Sequence, residues 1–254
     1  MLRHGHSPEE HHLAQTARIG SRVGDVGSQF MLDGATYARG AELGFTGLNF
    51  YAAGRGGVLG RVPADVVVAA FTFIGPAMVR AGWDEGLGLL DPHQAAAEFI
   101  ECGYQWGRTH LPASWSEGDD AERFVALTRK VTDDLVPYGV PLFAAWRAVP
   151  WPDDAPGRVL HAVHLLRELR GGVHVMAVMA QGVDPHAAVV NKSGAVVAEM
   201  LGWAAPHPDV DAHPLHEAVE AAERATDLQM AHAFSVLTDA ELDELTELTA
   251  RLRG

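Results

Sequence analysis

The chain has 254 residues, of which 48% are hydrophobic and 20% are charged. This is typical of a globular protein with one large domain or two small ones. The formal net charge of −14 at pH 7 argues against non-specific nucleic-acid binding, because an acidic surface repels phosphate. The single cysteine, Cys102, excludes an intramolecular disulfide and a cysteine-rich zinc site.

The N-terminal segment 1–12 is polar and rich in histidine, and it predicts a flexible tail without a signal peptide. The longest apolar run, residues 66–74, is too short to cross a bilayer. We therefore expect a cytoplasmic protein with no membrane partner. Residues 13–150 are predicted to form an N-terminal helical domain, because apolar residues recur there with helical spacing. Its predicted helices cover residues 12–22, 34–51, 63–74, 92–108, 120–135 and 140–149.

A glycine-rich stretch, residues 50–63, interrupts this pattern. Four glycines around Arg55 predict a tight, irregular loop. Such a loop could hold Arg55 against an anionic group of a ligand, and Tyr51 could supply a hydroxyl to it. A solvated arginine in a turn is the alternative. No Gly-Lys-Ser/Thr follows, so the stretch is not a phosphate-binding P-loop.

The chemistry-bearing residues concentrate in the segment 158–186, which predicts one long central helix. At about 100° per residue, His161, His164 and Glu168 share one face. Arg170 and His174 lie on a second polar face, roughly opposite. Leucines separate the two faces, so we predict an interior helix with one polar strip turned toward a cavity.

Two alternatives remain open for the first face. Two imidazoles and a carboxylate could supply part of a divalent-metal site at His161, His164 and Glu168. The same side chains could instead make ordinary hydrogen bonds between helices. The spacing differs from the His-Glu-x-x-His zinc motif.

The second face carries the candidate catalytic pair. Arg170 can bind a carboxylate through two hydrogen bonds, and His174 titrates near neutral pH and could transfer a proton. A structural arginine–histidine–carboxylate network is the alternative. Gly171 and Gly172 each cost about 1 kcal/mol against alanine inside a helix, which predicts close approach of a ligand or another helix, or a kink. A further alternative is a haem, with His174 as its axial ligand and the glycines leaving room for it.

The C-terminal part, residues 151–254, begins with a proline-rich linker before the central helix. Further helices are predicted at 189–203, 216–237 and 239–252, and Thr238 is the predicted N-cap of the last one. The intervening loop, 204–214, is rich in proline.

Several phrases resemble a known family. They are Phe-Tyr-Ala-Ala-Gly-Arg at 50–55, Leu-Gly-Arg-Val-Pro-Ala-Asp-Val-Val at 59–67, Arg-Glu-Leu-Arg-Gly-Gly-Val-His at 167–174 and Glu-Arg-Ala-Thr-Asp at 223–227. They are similar to an uncharacterised actinobacterial helix-turn-helix family whose C-terminal part resembles winged-helix regulators of the MarR type. The central motif of that family more often reads His-Arg-Gly-Asp-Gly-His. Arg170, Gly171 and His174 match it, whereas Leu169 and the pair Gly172-Val173 depart from it. The central helix also resembles the third helix of the DinB-like four-helix bundles, which are metal-dependent, thiol-using enzymes.

The resemblance implies an all-α fold, a helical bundle domain followed by a degenerate winged-helix-like region. Residues 203–216 contain no lysine or arginine, whereas a DNA-contacting wing is usually basic. The predicted helix at 189–203 offers bases only Asn191 and Lys192. The sequence therefore predicts weak or lost DNA binding.

Three functional hypotheses follow. The first is an enzyme of bacterial specialised metabolism that acts on a small molecule at a pocket lined by His174 and Arg170, assisted by a metal or haem. The second is a ligand-responsive regulator or binding protein. The third is a structural homodimer without chemistry.

Overall fold

The computed structural model describes residues 8–116, 119–211 and 213–253. In these ranges the protein is all-α, as predicted, with twelve helices and no strand. The helices are α1 (Pro8–Gln29), α2 (Gly34–Glu42), α3 (Asn49–Gly56), α4 (Ala64–Phe71), α5 (Pro76–Leu89), α6 (Pro92–His110), α7 (Asp120–Thr132), α8 (Pro141–Arg147), α9 (Ala155–Ala180), α10 (Pro185–Met200), α11 (His213–Phe234) and α12 (Asp239–Ala250). None of these helices has the length and apolarity needed to cross a membrane.

Helix α9 is the long central helix that the sequence predicts, and it forms the axis of the fold. The Asp154 side chain caps its N-terminus by accepting a hydrogen bond from the Gly157 backbone N–H at 2.9 Å. Helices α1, α6, α7, α8 and α11 pack around it. Because neighbours surround α9, both of its polar faces are turned inward, whereas the sequence predicted that one polar strip would face a cavity.

The largest apolar cluster extends along nearly the whole chain, from Ile19 in α1 to Leu252 after α12. Its largest fully buried side chains include Trp83, Trp115 and Trp146. The cluster crosses residue 150, the predicted domain boundary, and the division into 13–150 and 151–254 stays a prediction. Helix α1 begins at Pro8, inside the segment predicted as a tail; residues 1–7 lie outside the described residues.

The predicted loop at 50–63 is wrong in its first half. Residues 49–56 form α3, which continues into a 3-10 turn at Gly57–Leu59. A β-carbon on Gly54 would overlap the Phe99 side chain of α6, and one on Gly57 would overlap the Pro92 carbonyl. These glycines therefore let two helices approach closely, which a sequence pattern cannot distinguish from the requirement of a turn.

The C-terminal part contains no strand in its described residues. Helix α10 is interrupted at Gly194, whose φ is 82°. Residues 201–211 connect it to α11, and four residues separate α11 from α12. The predicted cap of α12 is confirmed, since Thr238 and Glu241 form a reciprocal capping box.

Candidate ligand-binding cavity

A cavity of about 930 Å³ lies beside α9. Its wall combines helices α1, α3, α4 and α5 of the N-terminal part with α9, α10 and α11. Most of the predicted site residues line it, namely Tyr51, Arg55, Glu168, Arg170, Gly171, Gly172 and His174. Five of these residues belong to α9, and α3 contributes Tyr51 and Arg55.

Apolar side chains form much of the remaining wall. Phe71 and Ile74 come from α4 and the turn after it, and Val140 from the segment before α8. Two apolar side chains of the lining are largely open to solvent: Leu32 is 64% exposed and Met200 is 62% exposed. An apolar molecule would therefore find apolar surface both inside the cavity and at its edge.

Helical glycines shape this space in two different ways. A β-carbon added to Gly24 in α1 or to Gly171 in α9 would find no atom within 4 Å, so these positions leave the cavity open. On Gly172 the added carbon would lie 2.6 Å from Cγ1 of Val140, and on Gly20 it would lie 2.7 Å from Nε of Arg170. Gly172 and Gly20 therefore permit close packing. Helix α9 continues through residues 171–172 without a break. Close approach of Val140 explains the glycine at 172, whereas Gly171 faces open space.

A buried ion pair closes one side of the cavity. Arg55 donates from Nε and Nη2 to the two oxygens of Glu168, at 3.0 and 2.8 Å, and from Nη1 to the Tyr51 hydroxyl at 2.9 Å. Arg167 donates to the same carboxylate at 2.7 Å. Burial opposes ionisation of Glu168, but the two guanidinium groups outweigh it and lower the pKa of this carboxyl. The anionic group that contacts Arg55 is thus a side chain of the protein, whereas the sequence predicted an anionic group of a ligand.

The first face of α9 is a buried aromatic environment. His161 shares a hydrogen bond of 2.9 Å between Nδ1 and the Tyr104 hydroxyl, and the ring of His164 lies 3.9 Å from that of Trp146. Both histidines are fully buried and are not among the residues that line the cavity. Burial lowers the pKa of His161 to about 4 and that of His164 to about 3.

This arrangement favours an ion-pair network over the predicted metal site at His161, His164 and Glu168. Nε2 of His164 lies 3.3 Å from Glu168, but two arginines already occupy that carboxylate. No group of His, Cys, Asp and Glu side chains in the described parts of the chain is placed to hold a metal ion. The metal site stays a prediction without geometric support.

The second face of α9 packs against α11. Arg170 donates from Nη2 to Glu223 at 2.8 Å and lies 3.6 Å from Asp227. Nδ1 of His174 lies 2.9 Å from the Thr226 hydroxyl. Burial lowers the pKa of His174 and raises that of Asp227.

The sequence interpretation did not connect these α11 residues with the site. The available signal was the phrase at 223–227, which carries the family resemblance and supplies all three partners. Nothing in the periodicity of α11 indicates that this segment faces α9.

Comparison with known proteins gives one result. A family model described as a helix-turn-helix family matches residues 16–254. Comparison with curated proteins and with solved structures finds no match. Because the matched segment covers nearly the whole chain, the protein belongs to this helix-turn-helix family.

Proposed function

We propose that the protein binds a small, largely apolar organic molecule in the cavity beside α9 and acts as a ligand-responsive regulator or binding protein. The observation that carries this proposal is the cavity itself, about 930 Å³, next to helical glycines. A volume of 300–1,000 Å³ with a mostly apolar lining is usual for small-molecule sites. Gly24 and Gly171 leave space where an alanine would favour the helix by about 1 kcal/mol each.

The charges of the cavity support binding more than catalysis. Arg55 and Arg167 are paired with Glu168, and Arg170 is paired with Glu223. Paired groups of this kind hold their ionisation states and organise a wall, whereas a general acid or base must change its protonation state near neutral pH. This favours the regulator or binding-protein hypothesis over the enzyme hypothesis.

The composition of the cavity wall supports a response to the ligand. Helices α3, α4 and α5 form one part of it, and α10 and α11 form another. A ligand in this position would contact both parts of the chain and could shift their relative arrangement, as coupling between sites requires. The resemblance of the C-terminal part to MarR-type regulators is consistent with this role.

The test is a fluorescence titration with Nile red, a neutral apolar dye, on the wild-type protein and two tryptophan variants. Gly171→Trp places an indole in the cavity and is expected to weaken binding about ten-fold, roughly 1.4 kcal/mol. Gly88→Trp is the matched control, because Gly88 is an exposed glycine of α5 that also has no atom within 4 Å of an added β-carbon. It should bind like the wild type.

Circular dichroism checks that all three proteins fold. Absence of dye binding to the wild type would refute the proposed function. Unchanged binding in Gly171→Trp would show that the dye binds outside this cavity. Adding duplex DNA in a parallel anisotropy titration, with and without dye, tests whether the response reaches nucleic acid.

A further inference from the structure

His174 lines the cavity, and its hydrogen bond to Thr226 determines which ring nitrogen carries the proton. The Thr226 hydroxyl donates to the Ala222 carbonyl at 2.7 Å, the usual bond of a helical threonine. Its one hydrogen is thereby used, so its oxygen accepts the 2.9 Å bond from Nδ1 of His174. The proton of the neutral imidazole therefore sits on Nδ1, and Nε2 carries a lone pair.

The lone pair on Nε2 has no donor among the described residues. The nearest carboxylate oxygen, Oε1 of Glu223, lies 3.8 Å away, and two acceptors cannot satisfy each other. The Phe73 ring packs beside the imidazole with 5.5 Å between centroids, which helps to hold its orientation. Burial lowers the pKa of His174, so the ring is neutral at pH 7. The cavity thus contains a positioned acceptor that needs a donor.

The cavity offers this acceptor without a net charge. Four cationic side chains line it, and four carboxylates balance them. Arg170, the cation nearest His174 along α9, is engaged by Glu223 and Asp227. An anionic ligand at His174 would approach these two carboxylates, and a cationic ligand would approach Arg170 and Lys192, which lies 3.6 Å from Glu223. Both cost electrostatic energy that a neutral ligand avoids.

We infer that the ligand is a neutral apolar molecule with a hydroxyl group, an alcohol or a phenol, whose O–H donates to Nε2 of His174. This inference rests on the proposed function, since it requires the cavity to be a ligand site. His174 and Thr226 then determine specificity: His174 contacts the ligand, and Thr226 acts as a positioning residue that fixes the tautomer. The sequence predicted that Arg170 binds an anionic ligand. We assign it instead a structural role, in which it pairs with Glu223 and Asp227.

The test compares three ligands of similar shape by displacement of Nile red. 4-Octylphenol has the donor, 4-octylanisole replaces it by a methyl ether, and 4-octylbenzoate carries a negative charge at pH 7. In the wild type we expect the phenol to bind about ten-fold more tightly than the ether, the scale of one well-made hydrogen bond. The benzoate should bind more weakly than the phenol.

Variants assign the preference to the two residues. His174→Phe keeps an aromatic ring without an acceptor, so phenol and ether should bind equally. Thr226→Val should reduce the preference, whereas Thr226→Ser keeps the hydroxyl and should retain it. His232→Phe, the same change at an exposed position of α11, is the control. A nitrogen–proton correlation spectrum of the wild type should place the His174 proton on Nδ1.

The outcomes separate this inference from the proposed function. If none of the three ligands displaces Nile red and the dye itself does not bind, both are refuted. If phenol and ether bind with equal affinity, or the benzoate binds most tightly, the cavity remains a ligand site but the inferred ligand class is wrong. If the preference for the phenol survives in His174→Phe, another group accepts the hydrogen bond and the role of His174 is refuted.

Discussion

The glycine pair of α9 offers two adjacent positions at which the same substitution should have different effects on stability. Gly171→Ala adds a methyl group with no atom within 4 Å, so the helix gains up to about 1 kcal/mol without a clash. In Gly172→Ala the new carbon lies 2.6 Å from Cγ1 and 3.3 Å from Cα of Val140. Because the backbone atom cannot move aside as a flexible side chain could, overpacking should cost about 1–3 kcal/mol. That cost equals or exceeds the helical gain.

Thermal unfolding followed by circular dichroism measures the difference. For a chain of this size, 1 kcal/mol corresponds to roughly 2–4 °C in Tm. Gly171→Ala should therefore raise Tm by about 2–4 °C, and Gly172→Ala should leave it unchanged or lower it by up to about 8 °C. Gly88→Ala, at a helical glycine outside the cavity, should behave like Gly171→Ala. Stabilisation by both α9 substitutions would refute the close approach of Val140, and destabilisation by Gly171→Ala would refute the open space beside it.

Three further predictions concern the buried groups and one helix cap. Histidines of the unfolded chain have a pKa near 6.5. In the folded protein, burial lowers the pKa of His161 to about 4 and that of His164 to about 3. Below pH 6.5 the unfolded chain therefore binds more protons than the folded protein. Stability should fall with decreasing pH by about 1.4 kcal/mol per unit for each histidine, and constant urea midpoints between about pH 7 and pH 5 would contradict this. Arg55→Leu should lower the free energy of unfolding by about 3–5 kcal/mol, because Glu168 stays buried without the guanidinium that donates two hydrogen bonds to it. Adding Glu168→Leu should recover most of this loss, as measured by urea unfolding. A double variant no more stable than Arg55→Leu alone would argue against the ion pair. Thr238→Ala should cost about 1 kcal/mol through loss of the α12 cap, whereas Thr238→Ser should cost little, and equal losses in both variants would speak against capping.

Local signals in the sequence were sufficient where the determining interactions are local. The cap at Thr238 depends on residues three apart, and most of α9 follows from a continuous helical pattern. The ends of α9 differ from the prediction, because the helix covers Ala155–Ala180 and the predicted segment was 158–186. The two polar faces of α9 also follow from its periodicity alone. These features are determined within a few turns of chain, so one sequence shows them.

Local signals failed where a distant segment decides. The glycines at 54 and 57 imply a loop until Phe99 and Pro92 of α6 are seen to pack against them. Glu168 has the pattern of a metal ligand until Arg55, 113 residues away, is found on its carboxylate. The tertiary fold determines which group pairs with a buried charge. Residue type and spacing could therefore place the polar groups on α9 but could not determine what each group does there.

The negative charge of the C-terminal helix α12 affects how a nucleic acid could approach it. Helix α12 follows α11 after four residues, as the second helix of a helix-turn-helix does, but it carries five carboxylates and no lysine or arginine. Two of them already pair with α7: Glu241 with Lys130 and Glu244 with Arg123, both at 2.7 Å. A phosphate backbone approaching α12 would meet negative charge on a helix already docked against its neighbours.

Helix α10 is the second candidate for the DNA-contacting helix of a helix-turn-helix, because it follows α9 after four residues. Its one lysine, Lys192, lies 3.6 Å from Glu223 at the edge of the cavity, and the helix breaks at Gly194. Phosphate binding needs several cations along one rigid surface, and α10 offers one on an interrupted helix. The same lysine lines the cavity, so the one lysine of α10 lies at the space beside α9. The pair α9 and α10 therefore has the short connection of a helix-turn-helix but lacks the row of cations that a phosphate backbone needs.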